Sequence, residues 1–505
     1  MRWVFLFLGL LIRHCLKCVV IWSRPVSVAQ NMLVEGPMLV QFLTVLPAPV
    51  EESVDSQGLM RKSLKGLCPS MGTERSVVDL LLKAFNFILA VVLTVLLTAP
   101  AIAKEGDTFR PFVSLGYFYD SNLFRLAETE NFSTQRDDRY GNLIAGINVD
   151  WKPGRQQVVL KLTKTLTRYD QNTFLDFEGD DLQATWNWQL GNRLSGNLGA
   201  AKLTSQSSFG DIGLVNNLVD RERRFGRAEW EFHPRWRFGG GVEQVDNTNS
   251  APSQASQDFK QRSYDVALNY RTPKGSNLRV QARRIDAAFP RPQILSEVCS
   301  VSLLLLCPQF FPFIPSEVAD NSYKQTEYNL IGDWRFSGKL TLHAQAGWVD
   351  RKYENVLRGN YSSTVPQLYE RPDFTGYTGR VSADWYATKK TLVSVSAYQE
   401  LGSAQEINAS SVLKSGASLN GVWLVREKWR LNTGATLENR EFRGDPGTNQ
   451  MQRNDDTMSA TLSLSYAPIQ TVSLDIGVSA GRRDSSISVE DYTFHSLFAN
   501  VRADF

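Results

Sequence analysis

Histidine and cysteine are scarce in this chain, at 4 and 5 of 505 residues. No zinc-ligand spacing, glycine-rich phosphate loop or EF-hand pattern occurs, so neither a cofactor nor a metal is expected. An excess of one charge is missing too: 55 Lys+Arg against 52 Asp+Glu leaves a formal net charge of +3. That balance gives no basic surface for binding nucleic acid. Long apolar runs are also lacking, since Phe85 to Leu97 is too short for a good membrane-spanning helix.

That short run has another use. Arg75 and Lys83 precede it and Ala101-Ile102-Ala103 follow it, in the order of a secretory signal peptide cleaved before Lys104. Residues 71–103 are therefore expected to be the signal and residues 1–70 a mis-assigned extension, with Met71 or Met60 the true start. The alternative is a membrane anchor over residues 3–22, a run interrupted by Arg13, His14 and Lys17. Without residues 1–103, 46 basic and 46 acidic residues remain of the 55 and 52. Cys15, Cys18 and Cys68 leave with the extension and leader.

What is present is alternation. From about Phe109 to Phe505 the chain repeats about ten alternating residues and a turn, with no helical period between. From Thr457 to Tyr466, Met458, Ala460, Leu462, Leu464 and Tyr466 alternate with hydroxyl-bearing residues. A period of two puts one set on each face of a strand. The expected fold is all-β: an antiparallel up-and-down transmembrane β-barrel formed by residues 104–505 as one domain, with lipid outside and water inside.

Short and long connections take turns. Short ones fall at 152–155, 191–192, 233–235, 272–275, 337–338, 388–390, 426–428 and 467–470, where Pro, Gly and Asn suit tight reversals. Longer polar ones fall near 125–138, 170–180, 206–221, 248–260, 289–322, 354–373, 402–411, 443–456 and 486–493. Eight short turns and nine long loops imply eighteen strands, or sixteen if a boundary is misplaced. The short turns are assigned to the periplasm and the long loops to the exterior. Trp151, Trp188, Trp230, Trp236, Trp334, Trp385, Trp423 and Trp429 sit beside short turns with apolar parity, as an interfacial girdle would. The chain's last residue, Phe505, follows Leu497, Ala499, Val501 and Ala503 on one face. It resembles the terminal signal read by the outer-membrane barrel assembly machinery, although Ala503 and Asp504 depart from it.

The polar parity is the candidate channel wall. Its charged and amide positions include Arg279, Gln281, Arg283, Asp333, Arg335, Arg380, Asp384 and Arg430. One reading is a solvated wall of cross-strand ion pairs. The other is a selectivity field, with its slight excess of arginine favouring anionic or polyhydroxylated solutes. Catalysis is not expected, because nothing in the spacing near His343 singles out a nucleophile and an orienting group.

The loop from Pro290 to Asp320 is long, with an apolar run between Cys299 and Cys307. The two cysteines are disulfide candidates or two unpaired thiols. The loop is expected either to plug the mouth or to touch the outer leaflet or a partner.

Phe112 to Leu126 contains Tyr119-Asp120-Ser121-Asn122. This stretch resembles the opening strand and first loop of the EpsL-like proteins, outer-membrane barrels encoded in exopolysaccharide operons of Gram-negative bacteria. The resemblance implies a part in exopolysaccharide biosynthesis or export, with outer-membrane lipid, the polymer and periplasmic export components as partners. The residues alone suit a general or solute-specific diffusion porin equally, or a non-conducting structural protein. Asp120-Ser121-Asn122 also reads as turn chemistry at a strand end.

Overall fold

The computed structural model describes residues 108–128, 135–291, 293–299, 313–353, 356–358, 369–370, 373–402, 409–444 and 453–505. The expected extension over 1–70 and signal peptide over 71–103 lie outside the described residues, as does Cys307.

Among the described residues, eighteen antiparallel strands form one closed sheet. They are β1 (Phe109–Asp120), β2 (Asp138–Trp151), β3 (Gln157–Tyr169), β4 (Phe177–Leu190), β5 (Leu194–Gln206), β6 (Leu218–His233), β7 (Trp236–Asn249), β8 (Phe259–Arg271) and β9 (Asn277–Ala288). After the hairpin β10 (Gln293–Cys299) and β11 (Phe313–Ala319) come β12 (Tyr323–Arg335) and β13 (Leu340–Tyr353). After the short pair β14 (Val356–Arg358) and β15 (Tyr369–Glu370) come β16 (Phe374–Thr388), β17 (Thr391–Gly402), β18 (Ala409–Arg426), β19 (Trp429–Gly444), β20 (Asn454–Ile469), β21 (Val472–Ser485) and β22 (Tyr492–Asp504). Each barrel strand pairs with the next, β9 with β12 and β13 with β16 across the two loop hairpins. The circuit closes where β1 runs against β22, from Phe112 opposite Asp504 to Asp120 opposite Ser496. The backbone N–H of Phe505 donates to the Pro111 carbonyl at 2.8 Å, extending that seam. Closure leaves no strand edge unpaired, which a sheet in hydrocarbon requires.

All eight short turns and all nine long loops lie where the alternation put them. Gly154 and Gly191 hold φ of 65° and 62° in two of the short turns, a conformation that a Cβ would strain. Side-chain parity follows the pleat. Leu143, Leu162, Leu198, Val266, Val280, Leu330, Val381, Leu437 and Ile476 point outward and are exposed. In water this surface would be a large apolar liability; in a bilayer it is the lipid-facing band. Trp151, Trp230, Trp334, Trp385 and Trp423 ring the short-turn end of that surface, with Trp334 63% exposed. Trp236 meets Tyr270 at 4.8 Å and Trp429 meets Tyr466 at 4.4 Å between ring centroids.

The largest buried cluster is not in the barrel wall. It consists of Leu123, Phe124, Leu126, Tyr169, Leu175 and Phe209, with Tyr140 packed against it. These residues come from the first three long loops and the strand ends that carry them.

Candidate functional site: the lumen and its mouth

The first loop is shaped by the motif that ends β1. The Asn122 N–H donates to Asp120 Oδ1 at 2.9 Å. The Asn122 side chain then accepts from the Leu126 N–H and donates to the Leu126 carbonyl, both at 2.9 Å. Arg125, held at φ 58°, reaches both Asp120 carboxylate oxygens at 2.8 Å. Asp120-Ser121-Asn122 is thus turn chemistry. It folds Leu123, Phe124 and Leu126 back as an apolar knob, with Phe124 1% exposed.

The second loop supplies Leu175 from the 3-10 turn Thr173–Leu175. The third supplies Phe209 from the single-turn helix α1 (Phe209–Ile212), which Gly213 ends at φ 69°. Phe124 packs edge-on to Phe209 at 5.1 Å between centroids. The third loop is tied at its base by Asn217, which is 1% exposed. Its Nδ2 donates to Ser207 Oγ at 2.7 Å and to Asn249 Oδ1 at 2.9 Å, and its Oδ1 accepts from the Ala251 N–H at 3.0 Å.

From α1 the chain reaches across the barrel. Asp211 Oδ1 lies 2.9 Å from Arg440 Nη1 on β19 and 3.9 Å from Arg483 Nη1 on β21. Going round the sheet, β19 is the ninth strand on from β6, half of the eighteen-stranded circuit. The third loop is therefore a strap over the mouth, anchored on the opposite wall. The anchor continues into a charge network. Arg440 pairs with Glu438 at 2.6 Å, Arg483 with Glu490 at 2.7 Å, and Arg453 with Asp455 at 2.7 Å and Glu490 at 3.1 Å. Arg453, just outside β20, is nearly buried. Desolvation alone would lower its pKa, but the hydrogen bonds and charges of Asp455 and Glu490 raise it above the ordinary guanidinium value. Among the described residues, the mouth is narrowed by this strap and its knob. The side chains of the 292–319 segment, where a plug was one expectation, lie outside the described residues, so the Cys299–Cys307 pairing does as well.

Below the mouth the two halves of the wall differ. The half from β6 to β16 is charged and mostly paired. Arg227 meets Asp265 at 2.6 Å and Glu229 at 3.1 Å, and Arg223 meets Glu243 at 2.6 Å. Arg279 meets Glu229 at 3.5 Å, and Arg283 lies 3.9 Å from Glu243 and 4.0 Å from Glu327. Gln281 and Arg283 line a recess of about 290 Å³ with Arg223, Glu243 and Asp265. The densest arginine patch expected from the sequence is thus neutralised by acids from neighbouring strands. Asp333 lies 2.6 Å from His343 Nδ1, and Asp384 lies 3.6 Å from Nε2. Asp384 in turn accepts from Ser394 at 2.5 Å. Arg380 pairs with Glu400 at 2.8 Å.

Two expected positions stand apart. Among the described residues, Arg335 and Arg430 make no ion pair; the Arg335 guanidinium lies 3.4 Å from where a Cβ on Gly275 would be, beside the β8–β9 turn. The other half of the wall is mostly hydroxyl and amide. Asn420, Asn432, Thr436, Ser459, Thr461 and Ser463 line a recess of about 300 Å³. No sequence signal marked Asp211, because its partners are set by the barrel circuit.

An apolar exterior, a closed circuit and a polar lumen with a strapped mouth are the features of a water-filled membrane barrel. Residues 308–505 match the family described as "putative beta-barrel porin 2". The chain is a porin-like outer-membrane β-barrel. It lies in the bacterial outer membrane, where its short turns face the periplasm. Among solved structures it resembles OccK2 (OpdF) of Pseudomonas aeruginosa in complex with glucuronate, at 9% identity over 79% of this chain and 98% of that one, TM-score 0.43. It also resembles the BenF-like porin of Pseudomonas fluorescens Pf-5, at 11% identity over 79% and 99%, TM-score 0.41. A third is OccAB3 of Acinetobacter baumannii, at 9% identity over 79% and 99%, TM-score 0.41. No curated protein matches the sequence.

Proposed function

We propose that the chain is a diffusion channel for small hydrophilic solutes, a channel rather than an enzyme. The observation that carries this reading is the strap from Phe209–Ile212 to Arg440, which spans a polar lumen and narrows its entrance without contributing catalytic chemistry. His343 supports the same view: its ring meets two carboxylates, and among the described residues no hydroxyl bonds it. The exopolysaccharide expectation has less behind it. It rests on the Tyr119–Asn122 resemblance, and the match over 308–505 speaks of a porin instead. A mouth crossed by a strap also suits small solutes better than a continuous polymer. Assembly would proceed through the barrel machinery acting on the strand that ends at Phe505.

Purified protein in a planar bilayer tests the reading. Discrete ionic conductance steps are expected, together with swelling of loaded liposomes in small sugars. A folded barrel that passes no current would make the chain a structural protein and end the proposal. Loss of secreted polysaccharide on clean deletion would restore the export reading.

A further inference from the structure

The lumen carries eight or more aromatic rings at its strand positions, and most are already covered by an arginine. Arg502 lies over Phe112 at 3.8 Å, Arg125 over Phe494 at 3.9 Å, Arg483 over Tyr492 at 4.6 Å, Arg223 over Phe225 at 4.4 Å and Arg380 over Tyr398 at 4.5 Å. Such caps satisfy the electron-rich face of a ring. Among the described residues, Phe498, Phe118 and Tyr140 have no such cap.

These three rings form a row. Phe118 on β1 sits directly opposite Phe498 on β22 and Tyr140 on β2, and Tyr140 sits opposite Tyr169 on β3. Phe498 and Phe118 have centroids 6.3 Å apart with planes 25° from parallel; Phe118 and Tyr140 are 4.9 Å apart and 6° from parallel. Glycines leave room for two of the rings to fold over neighbouring backbone. A Cβ at Gly116 would fall 2.7 Å from the Phe118 ring, and one at Gly477 would collide with Phe498. Tyr140 and Tyr169 run beneath the apolar knob of the mouth, so the row leads inward from under the strap.

The next lumenal row toward the periplasm is polar. It runs from Asp475 through Asn500 and Gly116 to Asn142 in direct cross-strand register. Asn500 Oδ1 accepts from Ser114 Oγ at 2.7 Å, which leaves its amide N–H groups for a solute. Among the described residues Asp475 makes no ion pair. An offset-stacked apolar row edged by amides and a carboxylate matches one kind of solute: a ring whose faces are C–H and whose rim is hydroxyl.

We infer that the Phe498–Phe118–Tyr140 row, with Asn500, Asn142 and Asp475, is a stacking and hydrogen-bonding site for a neutral saccharide passing through the channel. The ring C–H face lies on the aromatic row, and its hydroxyls meet the polar row below. Anionic solutes are not favoured here, since Asp475 faces the same water. This inference rests on the proposed channel function and names its solute class.

The test is block of single-channel KCl current by maltotriose, with folding checked by heat-modifiable migration on gels. Millimolar maltotriose should interrupt the wild-type current reversibly. The double variant Phe118→Ala/Phe498→Ala should raise the half-blocking concentration about tenfold, while KCl current is still carried in discrete steps. Phe118→Tyr should retain block, which separates loss of the stacking face from general damage. Wild-type current without block by maltotriose would overturn the saccharide site and leave the channel reading standing. So would block that is equal in the double variant, or block by the aromatic acid benzoate in place of maltotriose. A wild-type barrel with no current would overturn both.

Discussion

Asp211 and Arg440 are 229 residues apart in sequence, and their side chains meet at 2.9 Å across the barrel mouth. One comes from a single-turn helix in the β5–β6 loop, the other from the lumenal face of β19. The pair converts a loose extracellular loop into a strap held at both ends. Asn217 fixes its base on the β6 side, and Arg440 with Arg483 fixes its far end.

Removing the far anchor should loosen the strap without harming the barrel. The side chains of Arg440 and Asp211 are 24% and 31% exposed, so the pair is partly desolvated. A charge-assisted hydrogen bond of this kind contributes about 1.5–3 kcal/mol, at least about tenfold in the equilibrium between docked and undocked strap. Asp211→Asn should therefore raise the frequency of high-conductance openings and current noise in single-channel records. Salt should mimic it in part, because the Debye length falls from about 10 Å at 0.1 M to about 3 Å at 1 M. Identical records for the variant and wild type at low salt would show that the strap does not limit the pore.

The knob beneath the strap should respond to core truncation as a small domain of its own. Phe124 and Leu175 are 1% and 0% exposed and come from different loops. Phe124→Ala should cost about 3–5 kcal/mol of local packing, as for a buried aromatic. That loss falls on the loops, because the barrel's hydrogen-bonded circuit does not pass through Phe124. Limited proteolysis of the folded protein should cut the 121–128 and 207–217 segments faster, with the heat-modifiable band unchanged. Loss of that band would mean that the knob is needed for the barrel itself.

Adjacent residues on β9 test which face is which. Val280 points outward and is 57% exposed, while Gln281 lines a lumenal recess. Val280→Arg places a charge in the lipid-facing band and should destabilise refolding into liposomes by about 2–4 kcal/mol. Gln281→Arg meets water and the carboxylates of Glu243 and Asp265, so its denaturant midpoint should barely move. Equal losses at the two positions would contradict the inside–outside assignment.

The alternation made the barrel legible because a period of two is a local property. Leu462 and Thr461 declare their faces without knowledge of any partner. Turn residues such as Gly191 mark reversals just as locally. Asp120 and Asn122 were also readable, since an Asx-type turn bonds within five residues. The strap was not readable. Asp211 sits in a loop visible at 206–221, but its partner is chosen by how far β19 lies round the circuit. The aromatic row has the same character: Phe118, Tyr140 and Phe498 share a level only through strand register, which parity alone leaves open. Arg279 and Arg283 could be placed on the lumenal face by parity, but not their acids Glu229, Glu243 and Glu327, which are supplied by three other strands.

That pairing decides where ion selectivity should reside. A guanidinium within 4 Å of a carboxylate presents little net field to a passing ion, whereas an uncompensated one presents its full charge. Arg279 and Arg283 belong to the first kind. Arg335 and Arg430 belong to the second, near the periplasmic ends of β12 and β19, and among the described residues no acid pairs with either. Replacing Arg335→Ala with Arg430→Ala should thus shift the zero-current potential in a KCl gradient toward cation preference. Replacing Arg279→Ala should shift it less, because Glu229 keeps a second partner in Arg227 at 3.1 Å. A larger shift from Arg279→Ala than from the double variant would place the selectivity field on the paired wall after all.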